Sequence, residues 1–127
     1  MQISSQQMRQ LAQHADQHFV ARLCTFVRTQ CATPDALDPR LVPADDEALR
    51  RQVREHLARA RAYGLDSEQS QAGFVAVAFS YSPHFDELPQ VRTLLHDAAR
   101  DPDSRMRRVF DALVRAEERR RAVGSRA

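Results

Sequence analysis

Two histidines four residues apart, His14 and His18, head the set of side chains whose spacing could do chemistry. On a helix that step places both imidazoles on one face, as two ligands of a metal ion would be. A zinc site needs a third or fourth ligand, and the intervening Ala15, Asp16 and Gln17 contain no glutamate of the HExxH kind. A polar helix face is the plainer reading, and no metal ligand is assigned. A second group, His84, Asp86 and Glu87, with His96 and Asp97 beyond it, could supply an acid and a base if gathered in a cleft. No serine or cysteine motif accompanies it, and the neighbouring Phe85 and Leu88 read as anchors. The loop is therefore expected to dock through Phe85, with Asp86 satisfying loose amides at the start of the next helix. Cys24 and Cys31 stand seven residues apart on one helix, about 10 Å and too far to bridge within it. Buried, reduced thiols are expected. Walker, Rossmann, nucleophile-elbow and CxxC patterns are absent. The residues point to no catalytic site and no cofactor, so a non-enzymatic protein is expected.

Every basic side chain other than histidine is an arginine: there are nineteen, with no lysine and no asparagine. That bias reflects GC-rich coding rather than selection for guanidinium chemistry, so single arginines are not read as phosphate forks. Net charge is only +2, unevenly spread. Residues 34–46 hold four aspartates against Arg40, and residues 47–63 hold five arginines against two glutamates. Residues 64–101 hold six acids against two arginines, and residues 102–127 eight arginines against four acids. Alternation of this kind suits helix packing or an acidic protein partner better than a nucleic-acid footprint, which needs one concentrated basic face. Arg105, Arg107, Arg108, Arg115 and Arg119 to Arg121 surround the last helix, but Asp111, Glu117 and Glu118 interrupt them. No nucleic-acid partner is expected.

The elements that must position these groups follow from the apolar pattern. A chain of 127 residues with three glycines is long enough for one core and favours helix over strand. A first helix over residues 5–30 is expected, capped by Ser4 with Gln7 completing a capping box. Met8, Leu11, Ala12, Ala15, Phe19, Leu23 and Phe26 form its stripe, which predicts packing along the whole bundle. Residues 33–45 form a loop with three prolines, with a short turn at 35–37. A second helix starts at Asp45 or Asp46 and stops at Tyr63-Gly64-Leu65, a Schellman-type ending. The third, about 68–81, is apolar on nearly every side and must be wrapped by the others. A fourth from Pro89 uses Val91, Leu94, Leu95 and Ala98, and a fifth from Pro102 turns Met106, Val109, Phe110 and Leu113 inward. The fold class is all-α, a single-domain bundle of about five helices over residues 1–121 with the third helix central. Residues 122–127 are expected to be a disordered basic tail. No apolar run approaches a membrane span of ~20 residues, and the start MQISSQQMRQ resembles no signal peptide. A cytoplasmic location is expected.

The order of these signals resembles small helical accessory proteins encoded in bacterial type VI secretion effector gene clusters. The resemblance rests on Ile3, Gln7, Met8 and Leu11 in the first helix, Tyr63-Gly64-Leu65, and Ser67-Glu68. It continues through Phe85-Asp86-x-Leu88-Pro89, residues 93–97 (TLLHD), and Ser104-Arg105-Met106, omitting the loop at 33–45. It implies no catalytic residues. It implies a cytoplasmic adaptor or co-chaperone that binds a secreted effector, a spike-tip protein or its chaperone. The expected binding surface is an apolar groove flanked by arginines, made by Arg50, Arg54, Arg61, Phe85, Asp86 and Leu88. A partner helix would fill it, or a second copy, which would make the protein a homo-oligomer. The alternative is an immunity protein that neutralises a cognate toxin, with the acidic residues of 35–46 and Asp86-Glu87 facing a basic toxin.

Overall fold

A computed structural model describes residues 4–32 and 38–124. Among them the regular structure is all α-helix apart from two short 3-10 turns, with no strand, and the helices form one bundle. The order is α1 (Ser5–Gln30), a turn (Pro39–Leu41), α2 (Asp46–Ala62), α3 (Glu68–Ser80), a second turn (Phe85–Glu87), α4 (Pro89–Leu95) and α5 (Pro102–Gly124). The turn expected at 35–37 lies outside the described residues, as do Ile3 and residues 125–127. No helix among the described residues is long and apolar enough to cross a membrane.

Local chemistry sets most of the boundaries. Ser4 accepts from the Gln7 amide at 3.1 Å while Gln7 Oε1 accepts from the Ser4 amide at 2.9 Å, the reciprocal capping box. Asp45 caps α2 through the Ala48 amide at 2.9 Å, Ser67 caps α3 through the Ser70 amide at 3.1 Å, and Asp101 caps α5 through the Ser104 amide at 2.7 Å. Helix α2 stops at Gly64, whose φ of 82° is open to glycine and costly for other L residues. The Gly64 amide bonds to the Arg61 carbonyl and the Leu65 amide to the Ala60 carbonyl, and Leu65 is fully buried. This is the complete Schellman motif with its hydrophobic contact.

Helix α3 divides the core in two. Val75 and Phe79 join Phe19, Val20, Leu23 and Val27 of α1 and Leu49, Val53 and Leu57 of α2. On the other side Phe74, Val77 and Ala78 join Leu65, Phe85, Val91, Leu95, Met106 and Val109. A helix with apolar residues on all sides has this consequence: it serves two layers at once.

Three expectations are corrected. Helix α1 does not pack along the whole bundle: residues 4–15 are exposed, with Met8 and Leu11 keeping 61% and 60% of their surface. The cause is length. Arg61 bonds to Asp16 at 2.6 Å and Arg28 to Asp46 at 2.6 Å, so α1 and α2 run antiparallel. Helix α1 has 26 residues and α2 only 17, which leaves roughly 13 Å of α1 beyond the end of its neighbour. Helix α4 ends at Leu95, leaving Ala98 exposed. Helix α5 continues to Gly124, through residues 122–124 of the expected tail, and its Phe110 points outward.

Candidate protein-binding site

The residues expected to form one binding surface separate into two places. Arg50 and Arg54 are exposed on the outer surface of α2, interleaved with Glu47 and Glu55. Arg61 lies along the edge toward α1, where it holds Asp16. Phe85 is fully buried against Phe74, their ring centroids 4.8 Å apart, and Leu88 is half-buried at the N-cap of α4. Asp86 is buried too, and it does not satisfy amides at the start of α4. It accepts a hydrogen bond from the Tyr63 hydroxyl at 2.8 Å and pairs with Arg59. Phe85 and Asp86 thus fasten the loop to the bundle and present no surface to a partner.

Arg59 is the hub that the sequence did not single out. Its Nη1 donates to the Pro83 carbonyl at 2.8 Å and to His56 Nδ1 at 3.0 Å, and its guanidinium lies 5.5 Å from the Phe74 ring centroid. Since Nδ1 accepts, the neutral His56 ring carries its proton on Nε2. Burial lowers the His56 pKa to about 4, aided by the Arg59 and His84 charges. His56 also sets its ring edge against Phe79, centroids 5.1 Å apart. Above this network opens a cleft of about 590 Å³ lined by Arg40, Gln52, Glu55, His84 and Glu87. The cleft gathers His84 and Glu87 from the expected acid–base group, but not the rest. His96 packs its ring against Tyr63, and Asp97 pairs with Arg100 and Arg108. No serine, threonine or cysteine lines the cleft, and a histidine held neutral chiefly by burial is a weak base.

Comparison of the chain with protein-family models, curated proteins and solved structures finds no match.

A different surface has the character of a docking groove. Ala76, Val77, Ser80 and Tyr81 of α3 and its end, with Phe110, Leu113, Val114 and Glu117 of α5, line a mostly apolar groove of about 240 Å³. Phe110 and Val114 remain 42% and 54% exposed there, and a Cβ on Gly73 would stand 3.5 Å from the Phe110 ring. The sequence held one signal for it: Phe110 and Val114 are an apolar pair four apart, beside rather than within the Met106–Val109–Leu113 stripe. Of the basic residues around α5, Arg105 is buried, not solvated. Its Nη1 donates to the Tyr63 and Leu95 carbonyls, both at 3.0 Å. One cation thus closes the ends of α2 and α4, where the helix dipoles favour positive charge.

His14 and His18 are exposed at the root of the free arm of α1, on either side of Asp16. Cys24 and Cys31 are free thiols, and burial raises the Cys24 pKa. Among the described residues no group of three or more His, Cys, Asp or Glu side chains converges on a metal position.

Proposed function

We propose that the protein is a non-enzymatic adaptor or co-chaperone that binds a type VI secretion effector, a spike-tip protein or its chaperone. The observation that carries this reading is the α3/α5 groove, where the most apolar helix of the bundle is left open beside exposed Phe110 and Val114. An amphipathic partner helix would lay its apolar face there, reading spaced anchors into the groove. The free arm of α1, with Met8 and Leu11 exposed, offers a second apolar contact to the same partner. Arg50 and Arg54, exposed on α2 outside the groove lining, would steer an acidic partner rather than anchor it.

The test is recovery of partners by the tagged protein from its own cell extract, with wild type and Phe110→Asp compared. Recovery of an effector, spike-tip protein or chaperone by wild type, lost in the variant, is the expected result. Recovery of nothing but the protein itself would sink the adaptor reading. The immunity reading loses half of its second acidic stretch, because Asp86 is buried and paired with Arg59. It still makes a separate prediction: deletion of the gene would poison the cell only when a toxin is present, whereas loss of an adaptor abolishes export.

A further inference from the structure

We propose that His14 and His18 chelate a divalent transition-metal ion of the zinc, nickel or copper kind, and that the ion staples the free arm of α1. The Nε2 atoms of the two rings approach each other to 3.2 Å, with the ring centroids 4.6 Å apart. A metal bonded to two imidazole nitrogens at about 2.0–2.1 Å in tetrahedral geometry holds them about 3.3 Å apart. The two ring nitrogens therefore already stand at the separation that a shared ion needs. Without an ion, the two Nε2 atoms share one hydrogen bond whose donor is set by the ring tautomers.

The location gives the ion a consequence. Residues 4–15 are exposed, and Asp16, held by Arg61, is the first tether of α1 to the bundle. A helical segment of this length without tertiary packing is marginal in water. A link from residue 14 to residue 18 locks one turn at the root of that segment. A ligand that binds the helical arm and not the uncoiled one stabilises the helical arm by mass action. The chain supplies two ligands here, since no third acidic, thiol or imidazole group converges. Water would complete the coordination shell, so the ion would exchange readily rather than act as a permanent structural zinc.

The experiment uses the full chain without a histidine tag. Zinc chloride and, separately, nickel chloride are titrated by calorimetry, and amide exchange of residues 5–18 is followed with and without metal. Saturable binding of no more than one ion per chain, with slower exchange of the arm, is expected. His14→Gln and His18→Gln should each weaken binding at least about tenfold, because even second-shell partners of a metal site are worth that much. Both side chains are exposed, so metal-free thermal melting should match wild type and show the variants folded. Three results would each overturn the inference. They are no binding by wild type, binding undiminished in the double variant, and binding that leaves exchange of residues 5–18 unchanged.

Discussion

The buried polar chain Tyr63–Asp86–Arg59–His56 is where single side chains carry most weight. Asp86 is nearly sealed, while the Arg59 side chain keeps 31% of its surface. Removing one member of a buried pair leaves the other charge uncompensated. Asp86→Ala should therefore cost about 3 kcal/mol in urea unfolding, the low end of the usual range because Arg59 reaches some water. Tyr63→Phe removes one hydrogen bond from the same carboxylate and should cost about 1 kcal/mol. His56 makes the network pH-sensitive in a definite direction. An unfolded histidine titrates near 6.5, and in the fold His56 does so only at about 4. Between those values the unfolded chain takes up a proton that the folded chain does not. The stability from neutral His56 is complete above about pH 6.5 and falls as pH drops toward 4. The urea midpoint of wild type should decrease from pH 7 to pH 5 more steeply than that of His56→Gln. None of this network was legible beforehand. Arg59 and Asp86 stand 27 residues apart, and helical periodicity says which residues share a face but not which distant loop meets that face.

At the scale of elements, the helix ends were the most legible part of the chain. The boundaries at Ser4, Asp45, Gly64, Ser67 and Asp101 follow from caps and stops a few residues long, whose partners are close in sequence. Gly64→Ala should lower stability by about 1–2 kcal/mol. The added Cβ meets Arg105 only at 3.8 Å, so the cost lies in the positive φ and not in a clash. Arg105 is the opposite case, one side chain that ends two helices remote from it in sequence. Arg105→Met should strand the Tyr63 and Leu95 carbonyls and cost about 2 kcal/mol, read as a drop in thermal midpoint with helix content kept. Helix α3 was recognisable as central from its lack of a polar face. That it would leave a groove against α5 was not, because Phe110 sits at the edge of the α5 stripe and its burial depends on which neighbour lies alongside.

For the molecule as a whole, the arm of α1 separates stability from function. Deleting residues 4–15 should leave the thermal midpoint nearly unchanged, since those residues are exposed and the core of α1 begins at Phe19. Under the proposed function the same deletion should weaken partner capture. The sequence by itself determined that the chain is helical, where most helices begin, where α2 stops and which helix lies at the centre. Each of these depends on residues close together in the chain. Only the tertiary structure decided which apolar faces are covered, that α1 outruns α2, and that Asp86 turns inward to Arg59. The physical reason is that burial depends on the length and position of neighbouring helices, so an apolar stripe records what could be buried and only its surroundings settle what is.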